Sequence, residues 1–298
     1  GQVWYNETTG NLRVRQTTLT TAWASGGNMN TARQYLASAS NGTPTATLSF
    51  GGSVSPNQQT ESYNGSSWTE VNDLNIGRGA LAGAGIQTAA LAIGSGSPDN
   101  ANTESWNGTN WTEVNNLNTG RNALGGQGTQ TAAIAFGGNP PYRAETEIWN
   151  GTNWTEVADL IDSREWPGGA GTTTAAIAFG GQAPAYVAST EQWNGTAWAE
   201  VNDLNLTKAY MGGAGTSTSA IGFGGLHSPP ATPQAQTESW NGSVWTETSD
   251  LNVARFGMGG SGTSTAAISA GGGIPSTPAM AFTEEWNADF AYGVWATG

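Results

Sequence analysis

The side chains of this chain best suited to chemistry are carboxylates and bases held at a fixed spacing. Glu61, Glu104, Glu147, Glu191, Glu238 and Glu284 each stand in a Thr-Glu-x-aromatic motif, and Arg33, Arg78, Arg121, Arg164, Lys208 and Arg255 recur with the same period. A carboxylate beside a cation can serve as a general acid or base when its surroundings shift its pKa. Catalysis needs two or three groups made different by their surroundings, however, and these are repeats of one arrangement. They are expected to be scaffold, as a ring of Glu and Arg pairs or as carboxylates bonded to backbone amides. With no Cys and one histidine, His227, the chain offers no thiolate nucleophile, no Cys-ligated zinc and no site built from several imidazoles. Pro98-Asp99-Asn100 and the stretch from Asp159 to Asp162 carry oxygens that calcium could use, but neither has the regular spacing of a calcium loop. Gly125-Gly126-Gln127-Gly128 lacks the Lys and the helix that follow a phosphate-binding loop. The chain is expected not to be an enzyme and to use neither metal nor cofactor.

Composition narrows the partners. Of 298 residues only 10% are charged, whereas there are 44 Gly and 14 Trp. With 22 acidic against 9 basic residues, the formal charge of -13 opposes the phosphate neutralisation that nucleic-acid binding requires. An anionic membrane surface would repel it too. No stretch approaches the roughly 18 apolar residues that span a bilayer, so a soluble chain without membrane insertion is expected.

What must position these residues is a repeat. Trp23, Trp68, Trp111, Trp154, Trp198 and Trp245 recur every 43 to 47 residues, and each is followed ten residues later by one of the bases. A Gly/Ala-rich run comes next, then a hydrophobic run usually closed by a Gly pair, such as Gly137-Gly138, then the Thr-Glu-x-aromatic motif. Between that motif and the next Trp stands Asn-Gly, at Asn64, Asn107, Asn150, Asn194 and Asn241. Both residues of Asn-Gly tolerate positive φ, so the pair signals a tight hairpin. The Asn-Gly-Ser/Thr triplets also match a glycosylation acceptor, but a turn demanded once per repeat explains them better. Four short strands in about 45 residues is the arithmetic of a propeller blade. The expected fold is all-β, a six-bladed β-propeller of four-stranded antiparallel blades.

The base, the Gly-rich strand, the Gly-paired strand, the aromatic third strand and the Trp-bearing fourth strand together resemble the kelch repeat over roughly residues 20 to 290. Two departures stand out: five of the six third-strand aromatics are Trp, and Gly94-Ser95 replaces one Gly pair. Other propeller chemistries are missing their residues. There is no Cys for the cross-linked centre of a copper radical oxidase, and there are no Ser-x-Asp-x-Gly-x-x-Trp boxes of a sialidase. A propeller must also close to protect its edge strands. The sixth copy has no Trp five residues after Trp286, and Trp23 is an orphan outer-strand Trp. Residues 18–25 are therefore expected to complete the last blade, with Phe290 to Trp295 as the rival. That divides the chain into an N-terminal hairpin or connector at 1–17 and a propeller at 18–298.

In such a blade the connections from strand 2 to 3 and from strand 4 to the next strand 1 share one face. There the sequence varies most, in Ser53–Gln59, Gly96–Asn102, Asn139–Glu145, Gln182–Ser189, Leu226–Gln236 and Ile274–Phe282. These loops carry Tyr142, Arg143, Tyr186 and His227. The innermost strands begin beside them with Tyr35, Trp166, Tyr210 and Phe256 where other copies have Ala. Aromatics around a shallow concavity suit stacking on sugars or gripping an extended chain, and these eight residues are the expected ligand site. The opening Trp4-Tyr5-Asn6 with Thr8-Thr9-Gly10 and Leu12 resembles hairpins in fibre and structural proteins of tailed bacteriophages. That resemblance implies a virion-surface or extracellular appendage that recognises a host-surface glycan or protein receptor and contacts other virion proteins. A purely structural decoration protein and a secreted bacterial lectin or adhesin are the alternatives. Tail fibres are often trimeric, so a homo-oligomer remains open.

Overall fold

The computed structural model describes the backbone of residues 3–6, 11–95, 101–277 and 279–297, and the side chains of 21–95, 101–277 and 279–288. The chain forms a six-bladed β-propeller of four-stranded antiparallel blades. Blade 1 is Ala37–Ser38, Thr47–Phe50, Thr60–Tyr63 and Trp68–Val71, in that order from the axis outward. Blades 2 to 5 repeat the order, with inner strands Ala82–Ile86, Gly125–Gly128, Gly168–Thr172 and Gly212–Thr216. Blade 6 takes Gly259–Gly262, Ala266–Ala270 and Thr283–Thr297 from the C-terminal end and its outer strand, Asn11–Ser25, from the N-terminal end. Trp23 lies opposite Trp286 in that pairing, as each outer Trp lies opposite the third-strand aromatic of its own blade, for example Trp154 opposite Trp149. Asn11–Ser25 runs as one strand, without a break at residue 17 or 18, and a first strand, Val3–Asn6, pairs along it. The rival closing segment is in the same sheet but is the continuation of the third strand, paired through Phe290 with Thr20 and through Trp295 with Arg15.

Small residues make the inner strands because the ring leaves no room there. A Cβ built on Gly212 would stand 2.2 Å from the buried ring of Phe223. Aromatics fill the wider space outside. Phe50, Phe136, Phe179 and Phe223 each meet the outer Trp of the following blade, or of blade 6, edge-on at 4.8 to 5.2 Å. Such pairs contribute roughly 0.5–1.5 kcal/mol beyond their buried area. Every outer Trp also donates its indole N–H to the Thr of a Thr-Glu motif one blade back, from Trp111 to Thr60 at 3.0 Å and from Trp23 to Thr237 at 2.9 Å. Trp68 donates to Thr283 at 2.9 Å, so the series crosses from blade 1 to blade 6 without interruption.

The repeated charges are scaffold. Each base is buried against the Glu of its own blade, Arg33 with Glu61 at 2.9 Å, Arg78 with Glu104 at 3.1 Å, Arg121 with Glu147 at 3.3 Å and Lys208 with Glu238 at 2.9 Å. Arg164 with Glu191 and Arg255 with Glu284 complete the set. Burial pushes the five guanidinium pKa values down and the neighbouring carboxylates oppose it, by the charge balance expected of a desolvated pair. Backbone amides hold the other oxygen of each Glu: the N–H groups of Asn30, Asn75, Asn118, Ile161, Asn205 and Asn252 donate to it at 2.6 to 2.8 Å. Each pair therefore ties the loop entering its blade to that blade's third strand.

Candidate functional site

Two residues after each base the chain turns inward with positive φ, at Tyr35, Ala80, Ala123, Trp166, Tyr210 and Gly257. Left-handed backbone costs a non-glycine residue roughly 1–2 kcal/mol. A closed circuit of backbone hydrogen bonds offsets that cost. Tyr35 N donates to Gly257 O at 2.7 Å, Ala80 N to Tyr35 O at 2.9 Å and Ala123 N to Ala80 O at 2.8 Å. Trp166 N then donates to Ala123 O at 2.6 Å, Tyr210 N to Trp166 O at 3.3 Å and Gly257 N to Tyr210 O at 2.9 Å. The circuit encircles the axis on the variable-loop face and points the attached side chains across its mouth.

Blades 1 and 4 are opposite each other in the ring, yet the rings of Tyr35 and Trp166 lie 5.0 Å apart. Trp166 stacks on Tyr210 with centroids 4.6 Å apart, and Tyr186 stands edge-on to Tyr210 at 6.2 Å. Tyr35, Trp166, Tyr186 and Tyr210 are all half-buried, so one side of this cluster meets solvent. Burial pushes the Tyr35, Tyr186 and Tyr210 phenols up, and neighbouring Tyr and Glu165 charges push in the same direction. Those hydroxyls therefore stay protonated at neutral pH and can donate.

The remaining expected residues are spread more widely. Phe256 is not the counterpart of Tyr35: that position in blade 6 is Gly257, and a Cβ there would stand 3.0 Å from the Tyr35 ring. Phe256, one residue earlier, is buried and reaches Tyr35 and Tyr210 only at 6.1 Å. The fixed step of two from the base places Gly257 at that position, and Phe256 one residue before it. Arg143 is tied to Glu145 at 2.8 Å. His227 Nδ1 sits 2.9 Å from Thr207 O and 3.1 Å from Thr207 Oγ1. Tyr142 is half-buried and near enough to contribute to the Tyr210 shift.

Three polar groups at this mouth escaped the sequence reading. Glu165 and Gln182 exchange both backbone hydrogen bonds, at 3.0 and 2.9 Å, and Gln182 in turn lies opposite Tyr186. Residues directly opposite in antiparallel pairs share a side of the ribbon, so Glu165, Gln182 and Tyr186 line up side by side. Tyr210 Oη donates to Gln182 Oε1 at 3.5 Å, and the Asn139 side chain is near enough to Glu165 to oppose the rise of its pKa. The signal available was comparative: at the position after the base, five blades carry Gln34, Gly79, Asn122, Ala209 and Phe256, and only blade 4 has an acid.

Among the described residues no group of three or more His, Asp or Glu side chains could hold a metal ion. Asp159 accepts the Thr146 amide at 3.2 Å, one of a series that holds the third strands. Pro98-Asp99-Asn100 lies outside the described residues. Among the described residues no helix is long and apolar enough to cross a membrane. The chain matches no protein-family model and no curated protein sequence.

Proposed function

We propose that this protein is a non-enzymatic binding module, displayed as a bacteriophage virion appendage, whose axial face recognises a glycan or protein on the host-cell surface. The observation that carries the reading is the convergence of Tyr35, Trp166, Tyr186 and Tyr210, from three blades, into one half-exposed aromatic surface. Monomeric proteins bury such rings or scatter them singly unless the surface has a partner. Amide and phenol groups beside flat rings are what a sugar needs, since its C–H face stacks and its hydroxyls hydrogen-bond. The kelch-like repeat and the phage-like opening hairpin support a display role. Strand Asn11–Ser25 pairs along Thr283–Thr297 as far as Arg13 opposite Thr297, and this extension of blade 6 suits attachment to other virion proteins.

The test is binding of the labelled protein to a panel of bacterial strains, with purified surface polysaccharide as competitor. Strain-selective binding that polysaccharide abolishes, and that Trp166→Ala weakens at least tenfold at a nearly unchanged melting temperature, is the expected result. Binding to no strain by a folded protein would overturn it in favour of a purely structural virion component.

A further inference from the structure

Glu165 stands out at the axial mouth. It is half-buried, burial pushes its carboxyl above the usual range, and only the Asn139 amide opposes that shift. Among the described residues no Lys, Arg or His forms an ion pair with it, whereas all six repeated Glu residues are paired. Arg164, its neighbour in the chain, is engaged by Glu191, and Arg143 by Glu145. The carboxylate lies next to Trp166 in the chain and in line with Gln182 and Tyr186 on the ribbon. An unpaired carboxylate at the rim of an aromatic surface is a cation site by two mechanisms. Its charge attracts, and the negative faces of Trp and Tyr add to it.

Resting on the glycan-binding reading above, we propose that the axial site takes an amine-bearing sugar, with its C–H face against the half-exposed cluster of Tyr35, Trp166, Tyr186 and Tyr210 and its protonated amine at Glu165. The geometry explains why a sugar is favoured over a basic peptide. Four aromatic rings from three blades make a surface broad enough for the C–H face of a sugar ring, most of which a single lysine side chain would leave uncovered. Gln182 and Asn139 stand on the same rim as partners for hydroxyls.

The experiment is titration calorimetry of the full chain with glucosamine trimer and, separately, N-acetylglucosamine trimer, at a pH where the amine is protonated. At every sugar the first trimer carries a protonated amine where the second carries a neutral acetamide. The expected result is about tenfold tighter binding of the amine, a preference lost in Glu165→Gln and kept in Glu200→Gln, which removes the same charge from an exposed outer strand. Trp166→Ala is expected to weaken both ligands. Equal affinity for the two trimers, with Trp166→Ala still weakening both, would overturn the cation site and leave the aromatic glycan surface standing. An amine preference equally reduced by Glu200→Gln would show a general effect of the acidic surface and overturn the assignment to Glu165. Tighter binding of a lysine trimer than of either sugar would show that the occupant is a basic peptide. No binding of either trimer would overturn the amine-sugar assignment alone if strain-selective binding persists and Trp166→Ala weakens it, and would overturn both readings together if the folded protein also binds no strain.

Discussion

At the scale of single residues, the decisive quantity is the cost of leaving a buried charge alone. Glu104 holds the equally buried Arg78 at 3.1 Å and also accepts the Asn75 amide at 2.8 Å. Glu104→Ala would orphan them together, and breaking such a pair from one side costs about 3–5 kcal/mol. Urea unfolding should show that loss, while Glu113→Ala, on the exposed outer strand, should stay within about 0.5 kcal/mol of the wild type. Tyr63 offers a pH test. Blade 1 has Tyr where the other third strands have Trp, and its hydroxyl donates to Glu285 at 2.6 Å. Burial, followed by that hydrogen bond, pushes its pKa from 10.0 up to about 12. A folded-state value above the unfolded one means the stabilisation is whole below the unfolded pKa and is lost as the pH climbs through the folded one. Between pH 10 and 12 the melting temperature of the wild type should therefore fall more steeply than that of Tyr63→Phe. Parallel slopes would show that Tyr63 contributes nothing to the alkaline limb.

At the scale of the strand, the turns between first and second strands are as repetitive as the Asn-Gly hairpins. In blade 4 the turn uses Gly171 at φ 118, where an added Cβ would stand 2.3 Å from Ala175 O. That clash is with backbone and cannot be relieved by a rotamer, so Gly171→Ala should cost more than the roughly 1 kcal/mol of conformation alone. Thermal melts of Gly171→Ala and of Ala170→Gly, its neighbour with ordinary φ, would separate the clash from simple loss of a methyl. Legibility differed between elements for a physical reason. Alternation, turn residues and the Thr-Glu-x-aromatic motif are local signals, so strands and hairpins could be read directly. The residues after each outer Trp were passed over: Asn75 and Asp73 have counterparts in most copies, and both turn out to bond backbone or Glu groups of a third strand. Their period was present, but their partners lie in the next blade or across a loop.

At the scale of the whole molecule, the ring behaves as one cycle of equivalent joints. Trp23 occupies the last joint: it packs on Trp286 at 5.5 Å and on Phe223 at 4.8 Å. Trp154, in mid-ring, packs on Trp149 at 5.5 Å and donates to Thr103 at 3.2 Å. If the joints are equivalent, Trp23→Ala and Trp154→Ala should each cost about 3–5 kcal/mol and agree within about 1 kcal/mol by urea unfolding. Removing residues 1–25 should do more, since it bares the third strand of blade 6 along its length and leaves an open edge. Loss of the cooperative melt, or self-association on a sizing column, is the expected outcome.

The order of strands, the blade number, the tight turns and the pairing of each base with a carboxylate follow from residues near one another in the chain, repeated at a constant interval. Repetition makes such features legible because every copy reports the same local physics. The aromatic mouth is of the opposite kind. Tyr35 and Trp166 belong to opposite blades and meet only because ring closure brings the sixth blade back to the first. Their neighbours Glu165, Gln182 and Tyr186 line up through backbone registers that no motif announces. A site assembled across an axis depends on how far each blade rotates about it, and that rotation is set by packing between blades.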